Sequence, residues 1–192
     1  VNIVANSMGG YFAIAFASKH SDRLRRLVFV GAPAGLDRPI PLFLRLWGNP
    51  IVGRQVGKMV LAMNSTEAAQ QRVFSMLSAH PEHVPAEFLE LALAAQKLPG
   101  AELASRSMLR TVLTWRGWKT SMMMRDTLAA INAPTLFVWG DRDAFAPPSS
   151  GKDMVARMSD ARIEIRDDVG HLPHVDQPEA VGRAVAAFLS DS

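Results

Sequence analysis

The first 33 residues limit the fold most strongly, because they contain a strand–helix–strand pattern. Residues 1–5 are a short apolar run of strand length, residues 8–20 follow a helical pattern, and residues 27–30 are a second apolar run closed by Gly31. A strand, a helix and a strand within about 30 residues form a βαβ unit, in which the two strands are parallel. The sequence therefore predicts an α/β protein with a parallel sheet.

The end of the chain repeats this pattern. Strands are predicted at residues 135–139 and 162–165, with helices at 149–158 and 178–189. Residues 36–133 lie between the two halves and are too long for a loop in a compact domain. They show helical patterns and no strand alternation, with candidate helix caps at Asn64, Ser65 and Thr66. We expect an all-helical insertion at 36–133 in a sheet built from residues 1–35 and 134–192.

Composition excludes several classes of site and partner. The chain has 192 residues and no cysteine, so it has no disulfide framework, thiolate metal site or cysteine nucleophile. No apolar run reaches the roughly 18 residues that a membrane span needs, and the net charge of +3 comes from scattered basic residues. We expect no membrane or nucleic-acid partner and a cytoplasmic location, and the oligomeric state stays open. His80 and His83 beside Pro81 are interpreted as a surface turn rather than a metal site.

Ser7 lies in "ANSMGG", where the first strand ends and the helix begins. Serine is common as a helix N-cap. A serine on a sharp strand-to-helix turn can also be a nucleophile, and such a turn requires small neighbours, here Ala5 and Gly9. A serine hydroxyl needs a base to remove its proton. The turn therefore predicts an acid and then a histidine farther along the chain.

Two later segments supply these groups at the ends of predicted strands. "WGDRDAFAPP" offers Asp141 and Asp143, and "DVGHLPHVDQPE" offers His171 and His174. The remaining acidic residues of the second segment are interpreted as solvated loop charges. They are Asp167, Asp168 and Asp176.

The chain resembles the C-terminal part of an α/β-hydrolase fold protein with a helical cap. "NSMGG" is similar to that family's nucleophile elbow, "FVWGDRDAFAPP" to its acid loop and "GHLPHVDQPEAV" to its histidine loop. The resemblance implies Ser7 as nucleophile, Asp143 as acid and His171 as base. It also implies the backbone N–H of Met8 as an oxyanion donor, no metal, no cofactor, and an insertion that acts as a lid over Ser7.

The sequence departs from the family pattern in two places. Ala5 stands where the usual G-x-S-x-G motif has its first glycine. The strands that precede the elbow in relatives, with the loop that carries a second oxyanion N–H, are absent from the sequence. We therefore expect the C-terminal half of the family's sheet, with one edge unpaired, and weak or absent ester hydrolysis by the 192-residue chain.

The resemblance implies a serine hydrolase for a small apolar ester or for a carbon–carbon bond beside a ketone. "NSMGG" is similar to the elbow of hydrolases that act on ring-cleavage products of aromatic compounds, although Leu172 stands where those enzymes often have tryptophan. A cofactor-free perhydrolase or acyltransferase is the alternative chemistry. A ligand-binding relative without catalysis is a further alternative, which the complete serine, acid and histidine set disfavours. Ser7 excludes the types that use an aspartate nucleophile.

Overall fold

The computed structural model describes residues 1–63 and 66–191. The strands are β1 (Asn2–Ala5), β2 (Arg26–Val30), β3 (Leu113–Thr114), β4 (Gly117–Trp118), β5 (Thr135–Gly140) and β6 (Ala161–Arg166). The α-helices are α1 (Ser7–Lys19), α2 (Leu42–Trp47), α3 (Gly53–Met63), α4 (Glu67–Phe74), α5 (Ala86–Gln96), α6 (Ala101–Val112), α7 (Arg125–Ala129), α8 (Pro148–Arg157), α9 (Pro173–Asp176) and α10 (Pro178–Ser190). The cap prediction for Asn64 and Ser65 falls outside the described residues, and Thr66 directly precedes α4.

The chain divides into two compact units. The first contains Val1–Asp37, Leu77–His80 and the chain from Met123 onward, and the second contains Arg38–Met76 and Pro81–Met122. The start of the second unit lies within two residues of the predicted boundary at residue 36.

The predicted end of the insertion at residue 133 differs from the end of the second unit. Helix α7 belongs to the first unit, and its Leu128, together with Ile131 just after the helix, is buried in the main hydrophobic core of that unit. The four residues Leu77–His80 also belong to the first unit, although the chain on both sides of them belongs to the second.

The first unit is built on a parallel sheet in the order β1–β2–β5–β6. This arrangement confirms the predicted α/β class. The carboxyl ends of parallel strands meet at one edge of a sheet, where open α/β sheets place their ligand sites. The segments after β1, β2, β5 and β6 therefore converge, and they include Ser7, Gly31, Asp143 and His171.

The core explains why residues 27–30 of β2 and 136–139 of β5 are all apolar. Side chains of β2 and β5 alternate between two clusters, one on each face of the sheet. Leu27, Phe29, Phe137 and Trp139 join the larger cluster, and Val28, Val30, Leu136 and Val138 join the smaller one. Strands that are covered on both faces read as continuous hydrophobic runs.

In the described part of the chain, β1 pairs with β2 on one side and is an edge strand. Val4 is 50% exposed on β1, and Phe12 is 63% exposed on α1. This edge therefore presents apolar side chains together with open strand hydrogen-bonding groups.

The second unit contains α2–α6 and also a short antiparallel hairpin, β3–β4. The prediction of an all-helical insertion is therefore wrong in this detail. Leu113 pairs with Trp118 and Thr114 with Gly117, so each strand is only two residues long and has no periodicity that a sequence pattern would reveal. Across both described ranges, no helix is both long enough and apolar enough to cross a membrane.

Candidate active site

Ser7 is the first residue of α1, and its backbone is left-handed, with φ +48°. Asn6 before it is extended, with φ −118° and ψ 143°, so the chain reverses direction at the serine. A left-handed non-glycine residue is strained and is held by its surroundings. Gly10 supports the turn from inside the helix, because a Cβ there would lie 2.5 Å from the Cβ of Pro33.

Asn6 connects the elbow to two other strand ends. Its side-chain amide donates to the carbonyl of Val30 at 2.6 Å and to the carbonyl of His171 at 3.2 Å. Gly31, with φ +80°, has no room for a Cβ because the His171 carbonyl lies against it. The residue before Ser7 is therefore hydrogen-bonded directly to the backbone of His171.

Asp143 and His171 form a buried pair. The His171 Nδ1 atom lies 3.0 and 2.9 Å from the two carboxylate oxygens of Asp143. Asp143 also accepts hydrogen bonds from the N–H groups of Ala32 at 3.0 Å and Phe145 at 2.9 Å, and the Phe145 ring packs 4.5 Å from the His171 ring. These contacts hold both partners in one orientation.

The contact with Asp143 assigns the tautomer of a neutral His171. An ionised carboxylate can only accept, so Nδ1 is the protonated nitrogen and Nε2 carries a lone pair. Nε2 is buried and has no hydrogen-bond partner among the described residues, so no bond joins it to the Ser7 hydroxyl there. Catalytic hydrogen bonds are often long before substrate binds.

Asp141, the other acid in the same loop, does not contact the histidine ring. Its carboxylate accepts the N–H of Val169 at 3.0 Å. That hydrogen bond is the main reason why the pKa of Asp141 lies below its ordinary value. Asp141 therefore ties the acid loop to the backbone before His171.

His174, the other candidate base, is an exposed residue of α9. Partial desolvation is the main factor that lowers the pKa of His174. The charge of Asp176 opposes this effect, and the nearby His171 adds to it. Of the two histidines, the structure therefore places His171 against an acid at the end of β5.

Asp176 corrects the sequence interpretation, which treated it as a solvated loop charge. Only 4% of its surface is exposed, and it accepts hydrogen bonds from Ser78, Ala79, His80 and Gly170. Burial raises the pKa of Asp176, but these hydrogen bonds outweigh it and lower the pKa overall.

Asp167 is exposed, as expected for a solvated charge. Asp168 is half-exposed and has a left-handed backbone, with φ +61°. It pairs with Arg142 at 2.5 Å and with His80 at 3.2 Å.

The sequence predicts a surface turn at His80 and His83. Pro81–His83 forms a short 3-10 turn in which Glu82 and His83 are exposed. His80, just before this turn, belongs to the first unit.

The family model of the alpha/beta hydrolase fold matches residues 1–178. The chain belongs to the α/β-hydrolase fold family. The backbone N–H of Met8 lies in the first turn of α1, where a helix supplies no acceptor for its N–H groups. This is the position that the family resemblance gives to an oxyanion donor.

Two curated relatives in this family are named for one kind of substrate. The 2-hydroxy-6-oxononadienedioate/2-hydroxy-6-oxononatrienedioate hydrolase 2 of Pseudomonas putida is 30% identical over 202 residues, which are 98% of this chain and 62% of the relative. The 2-hydroxy-6-oxo-6-phenylhexa-2,4-dienoate hydrolase of Burkholderia cepacia is 27% identical over 203 residues, which are 99% of this chain and 63% of the relative. The chain thus spans less than two thirds of each relative.

Solved structures of α/β-hydrolases agree with the fold. The 2-hydroxy-6-oxo-6-phenylhexa-2,4-dienoate hydrolase of Rhodococcus sp. strain RHA1 superposes with a TM-score of 0.75 at 17% identity, over 99% of this chain and 64% of that one. A thermophilic esterase from Thermogutta terrifontis gives a TM-score of 0.68 at 27% identity, over 98% of this chain and 64% of that one.

Proposed function

We propose that the chain carries the catalytic triad of a serine hydrolase, with Ser7 as nucleophile, His171 as general base and Asp143 as the group that orients His171. One observation carries the proposal. His171 is fixed through Nδ1 by a buried carboxylate, while its buried Nε2 has no partner among the described residues. A base held in this way is ready to accept a proton at Nε2.

The reaction begins when the Ser7 oxygen attacks the substrate carbonyl carbon and its proton moves to His171 Nε2. The carbonyl π electrons move to oxygen, and the Met8 N–H donates a hydrogen bond to the oxyanion. When the oxyanion collapses, the bond to the leaving group breaks and His171 gives its proton to the leaving alkoxide or carbanion. Water then attacks the acyl-enzyme, with its proton passing through His171 to Ser7. These steps use no metal and no cofactor.

The proposed substrate is a small apolar ester or a compound with a carbon–carbon bond beside a ketone. The names of the Pseudomonas putida and Burkholderia cepacia relatives support the second type, since their substrates carry a 6-oxo group. The Thermogutta terrifontis esterase, 27% identical, supports the first type.

A fluorophosphonate probe tests the triad, because it labels activated serines. The wild-type chain, Ser7→Ala and Ser18→Ala are compared, and the labelled peptide is mapped by mass spectrometry. Ser18 is the matched control, since it is an exposed serine on the same helix that donates to the Ala15 carbonyl. The assay is run on the 192-residue chain and on a form extended upstream where the gene encodes further residues.

We expect labelling of the wild type and of Ser18→Ala, and none of Ser7→Ala. Undiminished labelling of Ser7→Ala would contradict the assignment. Turnover of p-nitrophenyl butyrate and of 2-hydroxy-6-oxo-6-phenylhexa-2,4-dienoate by the labelled forms then compares the two substrate types. Because weak or absent hydrolysis is expected of the 192-residue chain, the extended form decides this comparison. Labelling of the extended form with no turnover of any ester or ketone in a panel would favour the ligand-binding alternative.

A further inference from the structure

The carboxylate of Asp176 joins the histidine loop to a distant part of the chain. One oxygen accepts the Ser78 hydroxyl and the N–H of His80 at 3.1 Å. The other accepts the N–H of Ala79 at 3.1 Å and that of Gly170 at 2.6 Å. Three of the four donors come from the segment Leu77–His80, so we call this segment together with Asp176 the latch.

The latch holds the backbone on both sides of His171. The N–H of Gly170, just before His171, donates to Asp176, and the N–H of Leu172, just after it, donates to the Leu77 carbonyl at 3.1 Å. The latch therefore fixes the two peptide groups that determine where the His171 side chain begins.

The contact between the latch and this loop is also close. A Cβ on Gly170 would lie 2.6 Å from the Leu77 carbonyl oxygen and 3.0 Å from the backbone nitrogen of Ala79. Backbone packed against backbone at this distance leaves no space for the loop to shift toward the segment. Displacing Leu77–His80 would therefore displace the His171 loop.

We infer that Asp176 is a positioning residue for His171, acting through the latch. It keeps Nδ1 of His171 on Asp143 and Nε2 toward the elbow that carries Ser7. The inference rests on the proposed function only for its effect on reaction rate. Its structural part, the orientation and tautomer of His171, can be measured without any activity.

Asp176→Asn removes the carboxylate but keeps the size and shape of the side chain. The carboxylate accepts four hydrogen bonds, two on each oxygen. Whichever way the asparagine amide is turned, its NH₂ group faces two donors instead of accepting from them. Asp167→Asn is the matched control, because it removes a negative charge from an exposed position in the same loop.

Two readouts are needed. The first is the rate of fluorophosphonate labelling of Ser7 as a function of pH. The second is nitrogen NMR of the protein with ¹⁵N-labelled histidine, in which the His171 signals are assigned by their loss in His171→Gln. Asp143 contacts the His171 ring, His174 lies near it, and Asp176 binds the neighbouring Gly170. His80 and Asp168 pair with each other beside the latch. The signals of His174 and His80 are therefore followed in the same titration.

For folded Asp176→Asn we expect labelling to slow by about 10- to 100-fold, since a small misplacement of a catalytic group has effects of this order. The pH midpoint of the labelling rate should move down, because the negative charge of Asp176 is lost nearby and the contact between His171 and Asp143 loosens. The NMR signals of His171 should change from the single Nδ1–H tautomer to a mixture. Asp167→Asn should match the wild type in all three.

A folded Asp176→Asn protein with the wild-type rate, pH midpoint and tautomer would overturn the inference. If Asp176→Asn does not fold, Ser78→Ala replaces it, because that change removes one donor and keeps the carboxylate. For Ser78→Ala we expect smaller changes in the labelling rate, its pH midpoint and the His171 tautomer, in the same direction as for Asp176→Asn. Wild-type values of all three in Ser78→Ala would also overturn the inference. If wild-type Ser7 is not labelled, the proposed function fails, while the tautomer of His171 still tests the latch.

Discussion

Replacing Asp143 by asparagine changes one atom at the centre of the candidate site. The carboxylate is completely buried, and its two oxygens accept from Ala32 N–H and Phe145 N–H respectively, while both contact His171 Nδ1. Asparagine keeps the shape but has one acceptor oxygen. Its NH₂ group must face either the Ala32 or the Phe145 N–H, so one buried donor loses its partner.

This geometry gives the expected size of the change in stability and of the change in reaction rate. A buried donor left without a partner costs about 1–3 kcal/mol of folding free energy. For a chain of this size, each kcal/mol lowers the thermal midpoint by about 2–4 °C. The effect on rate is larger, because the amide no longer fixes the Nδ1–H tautomer, and this replacement in a Ser-His-Asp triad lowers kcat by about 10⁴-fold.

Asp141→Asn is the matched control in the same loop. Asp141 is exposed, and an asparagine oxygen can still accept the hydrogen bond that its carboxylate accepts from the N–H of Val169. We expect a stability change within about 0.5 kcal/mol and nearly wild-type labelling of Ser7.

The assay compares the two variants by denaturant titration and by the rate of fluorophosphonate labelling. Asp143→Asn should lose most of its labelling at a denaturant concentration where it remains folded. Equal labelling rates for the two variants, or a larger loss in Asp141→Asn, would refute the assignment of Asp143 as the orienting acid.

Three further predictions concern backbone and charge. Ser7→Gly should be more stable than Ser7→Ala by about 1 kcal/mol in denaturant titration, because glycine adopts the left-handed φ of +48° without strain; equal stabilities would mean that the elbow relaxes. Gly170→Ala should lower the thermal midpoint, because its Cβ would lie 2.6 Å from the Leu77 carbonyl oxygen. Gly182→Ala in α10 has open space around it and should raise the free energy of unfolding by about 0.5–1 kcal/mol. A higher thermal midpoint for Gly170→Ala than for Gly182→Ala would contradict this packing. The lowered pKa of Asp176 means that its contribution to stability is complete above its ordinary value of 3.8 and is lost as pH falls through the folded value. The difference in unfolding free energy between wild type and Asp176→Asn should therefore shrink below pH 3.8, and a constant difference would be inconsistent with this linkage.

Local sequence patterns predicted the strands and the helix on either side of Ser7. The predicted β1, α1 and β2 agree with the structure to within one residue at each end, because apolar runs end at turn residues such as Asn6 and Gly31. The pairing of His171 with one of two aspartates could not come from spacing alone. Family resemblance indicated Asp143, and the structure places that residue on the histidine ring.

The features that sequence analysis missed depend on distant or very short interactions. Asp176 and Ser78 are 98 residues apart, so no local pattern could show that Asp176 is buried against that segment. The hairpin β3–β4 has two residues in each strand and gives no alternation. Helix α7 was assigned to the insertion because helical periodicity does not reveal which of two cores buries Leu128.

The return of Leu77–His80 to the first unit has a consequence for protein engineering. A graft that exchanges the whole insertion as one block would remove these four residues together with the partners of Asp176. A chimera should instead exchange two separate pieces, Arg38–Met76 and Pro81–Met122, and keep the tetrapeptide between them.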